Sequence, residues 1–237
     1  MKSIILCGGY GTRLYPLTLN KPKSLLPVNG KPLLDYIVEK IPKNIDEIIL
    51  LSNSKFYELF SIWSKNYGGK IKLVDDGTFT NETRIGAISG LELAIGEKNI
   101  TDDVLVISGD NLFDFKLDNF ISFFRGAKST SIGVYKPDRK ELKKFGVVEV
   151  NNCKVVSFEE KPQNPKSDLA SIGIYIFTKD DLEKIKKYSK IGKPKDAPGF
   201  LIKDLVENGD DVFAFEFTGR WFDIGSREVY EEINKTW

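Results

Sequence analysis

Short apolar runs alternate with amphipathic segments over the first 115 residues, and this alternation most limits the folds open to the chain. Residues 4–6, 45–51, 71–74 and 104–108 read as buried strands, too short and too uniformly apolar for amphipathic helices. Between them, 33–40 has helical spacing and ends at Ile41-Pro42, 56–67 is stopped by Gly68-Gly69, and 83–95 forms a third helix. Strands and helices at this spacing predict crossover units around a mostly parallel sheet. After Phe115 the rhythm changes: 131–135, 147–150, 155–158 and 172–177 read as successive strands, with Asn151-Asn152 placed to turn a hairpin. Residues 182–188 and 200–208 restore two helices, 212–217 is a late strand, and a last helix starts near the cap residue Ser226. The expectation is an α/β fold in one domain spanning 1–237, with a mixed, mostly parallel central sheet and antiparallel additions in the carboxyl-terminal half.

Composition narrows the partners. Lys and Arg number 35 against 34 Asp and Glu, so no global field draws nucleic acid or an anionic membrane, and any cation that a phosphate needs must be placed locally. There is no histidine, which excludes imidazole zinc sites and histidine-centred triads; Cys7 and Cys153 are too few for a disulfide scaffold. The start lacks the long apolar segment of a signal peptide and no run of 18 apolar residues follows, so a cytoplasmic protein without membrane or nucleic-acid partners is expected. Cys7 reads as a small buried residue at a strand end rather than a nucleophile, and the lysines of 186–190 as a solvated helix face.

The first strand runs into Gly8, Gly9 and Gly11, which let backbone approach a ligand closely, and Arg13 and Lys23 follow. Two cations after a glycine turn suit phosphate; a surface loop with two solvated charges is the other reading. Leu14 stands where a dinucleotide fingerprint requires its last glycine, and no Gly-Lys-Ser/Thr closes a kinase-type loop. Asp110 follows the 104–108 strand and Asp223 lies between apolar residues and Gly225. Each carboxylate alone is as consistent with a turn or cap as with Mg²⁺, but with the glycine turn, Arg13 and Lys23 they form a compatible set for nucleotidyl transfer. A phosphate nucleophile is already anionic, so that reaction needs no histidine base.

Several segments carry a more specific signal: residues 8–18, the run Lys21-Pro22-Lys23-Ser24-Leu25-Leu26-Pro27-Val28, Lys31-Pro32, Gly109-Asp110-Asn111, Phe145-Gly146-Val147-Val148, Glu159-Glu160-Lys161-Pro162, Ile172-Gly173-Ile174-Tyr175 and Trp221-Phe222-Asp223-Ile224-Gly225. In this order they resemble the sugar-1-phosphate nucleotidyltransferases, the NDP-sugar pyrophosphorylases, over nearly the whole chain. The resemblance implies a Rossmann-like nucleotidyltransferase fold, Mg²⁺ as cofactor, and a nucleoside triphosphate and a sugar-1-phosphate as partners. It assigns catalysis to Arg13, Lys23 and Asp110, and metal binding to Asp110 and Asp223. Leu6, Gly8, Gly9, Gly11, Thr12, Arg13, Asn81, Arg84 and Gly109 fall to the nucleotide, and Gly146, Glu160, Lys161, Gly173, Lys193 and Lys195 to the sugar phosphate. The default substrates are dTTP or UTP and glucose-1-phosphate.

The chain departs from the family pattern in one place. Many thymidylyl and uridylyl members carry a base-reading glutamine and a Gly-Leu-Ala sequence where this chain has residues 75–88, with neither. Asn81 and Arg84 are the candidates there to read base or phosphate, beside a capped helix with an exposed arginine. With little chain after Asp223, a minimal transferase without the β-helical extension of bifunctional relatives is expected. A homo-oligomer is compatible with, but not encoded by, any residue pattern. Two other functions remain open: cytidylyl transfer to a sugar phosphate or phosphocholine, in which Tyr15, Phe145 and Trp221 would cage a quaternary ammonium, and a non-catalytic nucleotide-sugar sensor.

Overall fold

A computed structural model describes residues 1–45 and 47–237. The amino-terminal half supplies strands β1 (Lys2–Cys7), β2 (Pro27–Val28), β3 (Lys31–Pro32), β4 (Ile48–Ser52), β5 (Ile71–Asp75), β6 (Val104–Ser108) and β7 (Asn111–Phe113), with helices α1 (Leu33–Lys40), α2 (Tyr57–Ser64) and α3 (Ala87–Glu97). Then come α4 (Asp118–Ala127), β8 (Ser131–Tyr135), β9 (Gly146–Asn151), β10 (Lys154–Glu160), β11 (Leu169–Phe177), α5 (Leu182–Lys190), α6 (Gly199–Glu207), β12 (Phe213–Glu216), β13 (Trp221–Asp223) and α7 (Arg227–Thr236).

Nine strands form one mixed sheet in the order β5-β4-β1-β6-β11-β8-β12-β10-β9. β5, β4, β1 and β6 are parallel, as the short apolar runs predict, because strands buried on both faces cannot alternate polar and apolar residues. The two faces use alternate side chains. Ile4, Ile49, Val104 and Val106 pack with Ile88 and Leu91 of α3, Leu182 of α5 and Leu201 of α6. Ile5, Leu50, Leu105 and Ile107 face the other way, against Ile37 of α1, Phe60 of α2 and Phe120 of α4. Helices thus cover both faces of the sheet.

The parallel share is smaller than the sequence suggests. β11 enters antiparallel between β6 and β8, and beyond it only the β8–β12 pair is parallel. β9 pairs with β10 over its length and its start also pairs with β11, so β11, β8, β12, β10 and β9 close into a ring. The expected hairpin turns through Asn152 and Cys153, both at positive φ (50° and 66°), the conformation that suits the right-handed twist of its strands.

Three expectations move. α3 begins at Ala87 rather than 83, because Gly86 (φ 85°) breaks the helix and 81–83 forms only a single 3₁₀ turn. α4 occupies a stretch the sequence reading leaves empty: Asn119, Ser122 and Gly126 give it little intrinsic propensity, and burial of Phe120, Ile121 and Phe124 holds it. The expected strand over 45–51 runs instead over Ile48–Ser52; its position 46 lies outside the described residues. Among the described residues, no helix is long and apolar enough to cross a membrane.

Candidate functional site

The carboxyl ends of the four parallel strands converge on one crevice, the usual ligand position in sheets of this kind. Leaving β1, the chain passes through Gly8 and Gly9, where the buried Asn53 side chain, just beyond β4, donates to the Gly8 carbonyl at 3.0 Å. Beyond β5, the Asp76 N–H donates to the Ser52 carbonyl at 2.9 Å. A methyl group on Gly8 would stand 3.1 Å from the Asp76 carboxylate, so this wall of the crevice is backbone facing a carboxylate. Gly11 turns with φ 62° and its carbonyl accepts from the Thr18 hydroxyl at 2.7 Å, which fixes the approach to Arg13. The Gly109 N–H donates to the Leu6 carbonyl at 3.0 Å, and any side chain at Gly109 would meet the Cys7 sulfur at 2.4 Å. Burial pushes the Cys7 thiol up to about 12, which fits a packing role rather than a nucleophile.

Asp110 and Asp223 are far apart in sequence and adjacent in space. β13 pairs antiparallel with β7, opposing Asp223 to Asn111, and the Ile224 N–H donates to the Asp110 carbonyl at 3.0 Å. Lys23, on a 3₁₀ turn after Pro22, donates to Asp110 Oδ2 at 2.8 Å. Burial pushes the Asp110 carboxyl up, and the Lys23 ammonium, together with hydrogen bonds from backbone and Asp223, more than reverses this, leaving it below its ordinary value. Burial and then the charge of Asp110 push Asp223 well above that range, against the pull of Lys23 and Arg13. Two buried carboxylates in mutual contact, one of them held above its usual range despite Lys23 and Arg13, fit a hard divalent cation. Among the described residues no cluster of three or more acidic, histidine or cysteine side chains forms; Mg²⁺ asks for no more than one or two carboxylates when phosphates and water complete its shell.

A cleft of about 590 Å³ lies over this pair. It brings together Leu6, Gly8, Gly9, Gly11, Thr12 and Arg13 with Lys23, Asn81, Arg84 and Lys161. A smaller cavity of about 140 Å³ opens beside it and holds Gly146, Glu160 and Gly173. Gly173 has φ 70°, and a methyl there would lie 2.6 Å from Ser108 Oγ. Glu160 is largely buried; burial pushes its carboxyl up, with Lys161, 3.8 Å away, pulling it back.

Three expected residues line neither space: Gly109 packs its backbone against Leu6 and Cys7 behind the crevice, and two lysines turn elsewhere. Lys193 pairs with Asp204, and neither it nor Lys195 lines the cleft or the cavity. Lys195 contributes its backbone instead: its carbonyl accepts from Ile88 N–H at 3.0 Å, satisfying a donor at the start of α3. Tyr15 lines neither space and Phe145 packs edge-on to Trp221 with centroids 5.0 Å apart, so the three aromatics do not assemble a cage.

The sequence reading passed over Asp76, Glu141, Lys144 and Asp196, which line the cleft, and Asn111, which lines the cavity. Asn111 is buried, donating to the Ile172 carbonyl at 2.7 Å and accepting from Trp221 Nε1 at 3.1 Å, so it ties β7, β11 and β13 together. Its place in Gly109-Asp110-Asn111 was the available signal; Lys144 and Glu141 sit in an ordinary-looking charged run.

Known proteins resemble the chain over its whole length. The profile of the nucleotidyl transferase family matches residues 2–237. A bifunctional protein GlmU of Methanocaldococcus jannaschii is 32% identical over 99% of this chain and 54% of its own length. A glucose-1-phosphate thymidylyltransferase of Streptomyces antibioticus is 29% identical over 100% of this chain and 66% of its own. The chain therefore spans about half to two thirds of the length of these curated relatives. In fold it matches a UDP-glucose pyrophosphorylase crystallised with UDP-glucose, with a TM-score of 0.83 and 21% identity over 99% of this chain and 97% of that one.

Proposed function

The chain belongs to the nucleotidyl transferase family, and on that premise we propose that it transfers a nucleotidyl group from a nucleoside triphosphate to a sugar-1-phosphate, with Mg²⁺, releasing pyrophosphate. The carrying observation is the contact between Asp110 and Asp223 at the base of a glycine-lined cleft that also holds Arg13 and Lys23. Relatives that bear the names of sugar-phosphate enzymes support the acceptor class.

In this reading the triphosphate lies along Gly8, Gly9, Gly11 and Thr12, whose backbone leaves room for it, while Leu6, Asn81 and Arg84 surround the nucleoside end and Gly109 acts only through its backbone bond to Leu6. The sugar occupies the smaller cavity, with Glu160 accepting hydrogen bonds from its hydroxyls and Gly146 and Gly173 forming close walls. An oxygen of the sugar phosphate forms a bond to the α-phosphorus, the bond from that phosphorus to the bridging oxygen breaks, and its electron pair leaves with pyrophosphate. Arg13 stabilises charge on the departing group; Lys23, held by Asp110, lies beside the transferring phosphoryl. Asp110 and Asp223 would hold Mg²⁺, which when bound supplies charge neutralisation across the reacting phosphates. Lys161 adds positive charge on the acceptor side. No proton need be removed from the nucleophile, in keeping with a chain that contains no histidine.

For substrates we take dTTP or UTP and glucose-1-phosphate. Cytidylyl transfer to phosphocholine loses support from the unassembled aromatic cage, and a purely sensing role from the retention of Arg13, Lys23 and both carboxylates. Pyrophosphate release across the five common triphosphates and several phosphorylated acceptors, with and without Mg²⁺, tests the reading. Release should require a sugar-1-phosphate and the metal; tight nucleotide binding with no release for any pair would overturn it.

A further inference from the structure

Five cations line the cleft: Arg13, Lys23, Arg84, Lys144 and Lys161. Their surroundings differ. Lys23 is held by Asp110, and Arg84 reaches Asp196 at 3.4 Å across the far lip. Lys144 contacts Glu141, one turn earlier on the 3₁₀ segment Arg139–Lys144.

The cleft and the smaller cavity share a neck, and the charged side chains common to both are Asp110, Asp223 and Lys144. A sugar phosphate whose ring fills the smaller cavity must present its phosphate at that neck to meet a nucleotide in the cleft. The two carboxylates there are committed to Lys23 and to the metal they would hold, and Lys161 lines only the cleft, so Lys144 is the cation placed between the two spaces. Resting on the transfer reading above, we infer that Lys144 binds the acceptor phosphate at the neck, the role the sequence suggested for Lys193 and Lys195. Glu141 is its resting counter-ion. The lysine side chain is 59% exposed and the glutamate 33%, and so exposed a pair is weak enough for a dianion to displace. The segment carrying both leads through Phe145 directly into Gly146 of β9, so the lysine is anchored to the wall of the sugar cavity.

The test is Lys144→Met, which keeps the aliphatic stem, with Lys144→Arg as the charge-retaining control. Lys144→Met should raise KM for glucose-1-phosphate roughly ten- to hundredfold, the weight of one charge-assisted hydrogen bond, and leave KM for the triphosphate within about twofold; Lys144→Arg should recover most of the loss. An active Lys144→Met protein with unchanged KM for glucose-1-phosphate overturns the inference and leaves the transfer reading standing. So does an equal rise in both KM values. If the wild-type chain turns over no acceptor, the transfer reading fails by itself, and calorimetry with glucose-1-phosphate then decides about Lys144: binding weakened in Lys144→Met but not in Lys144→Arg supports it, and binding that is absent from wild type or unchanged in the variant overturns it.

Discussion

The two ends of the site are built in opposite ways. At the ends of the parallel strands, one stretch of chain from Leu6 to Lys23 supplies glycine backbone, Arg13 and Lys23, and the sheet register aligns it with Asp110. At the antiparallel ring, the cavity walls come from five separate segments, three ring strands with α6 and the end of β6: methyl groups added at Gly146 or Gly199 would meet Phe158 and Glu160, and one at Gly173 would meet Ser108. The difference follows from the groups to be held. Phosphates are satisfied by backbone and fixed positive charge, which a contiguous loop can offer, whereas hydroxyls of a sugar ring need acceptors and walls on several sides at once.

The strongest way to break this comparison is at the carboxylates, which belong to both ends. Asp110→Asn and Asp223→Asn should each lower kcat by about a thousandfold or more in steady-state pyrophosphate release with Mg²⁺, since each removes half of the proposed metal ligation. Their thermal melts should differ. Asp223→Asn removes one of two buried like charges and should melt no lower than wild type, whereas Asp110→Asn strands Lys23, its 2.8 Å partner, and should melt lower. Normal metal-dependent turnover in both would remove the carboxylates from the mechanism.

Glycine substitutions sharpen the contrast at a smaller scale. Gly173→Ala places a side chain at φ 70° and 2.6 Å from Ser108 Oγ, so urea unfolding should show a loss of about 1–3 kcal/mol, with KM raised for the sugar phosphate. Gly8→Ala keeps an ordinary φ and its tightest contact is Asp76 Oδ2 at 3.1 Å, so it should cost less stability than Gly173→Ala, while raising KM for the triphosphate. If Gly8→Ala changed the sugar-phosphate KM instead, the two ends would not be separable as described.

The same contrast explains what could be read in the sequence. The inner strands β1, β4 and β6 carry apolar runs because both their faces are buried, the edge strand β5 keeps a shorter one broken by the exposed Lys72, and the glycine turn, Arg13, Lys23 and Asp110 stand next to β1 and β6 in sequence. The closing of the ring was not legible: β11 follows a loop, reverses direction and pairs with β6, β8 and β9, and no local pattern encodes a three-way choice of neighbours. α4 was missed because its stability is tertiary. Lys193 and Lys195 are candidates for the sugar phosphate in the sequence, yet Asp204 draws one aside and the other turns its carbonyl to α3. Lys144, in the run from Arg139 to Lys144, looks in sequence like any solvated charge; only the neck between the two spaces distinguishes it.

The smallest expected effect isolates the ring end by its pH dependence. Glu160 is largely buried among Gly146, Phe158 and Gly199, and Lys161 and the buried Tyr175 are the titratable groups it influences. Burial raises its carboxyl above the unfolded value, so folding favours the protonated form: its contribution to stability is fully present below the unfolded value and is lost as pH rises through the folded one. Glu160→Gln removes that titration. The variant should therefore unfold at higher urea than wild type at pH 7, and the advantage should shrink as the pH is lowered through the folded value of Glu160. An advantage that stays constant across this range would mean that the carboxylate is as well solvated in the fold as in the unfolded chain. The ring would then be an open surface rather than a closed sugar cavity, and its contrast with the glycine-lined end would lose its physical basis.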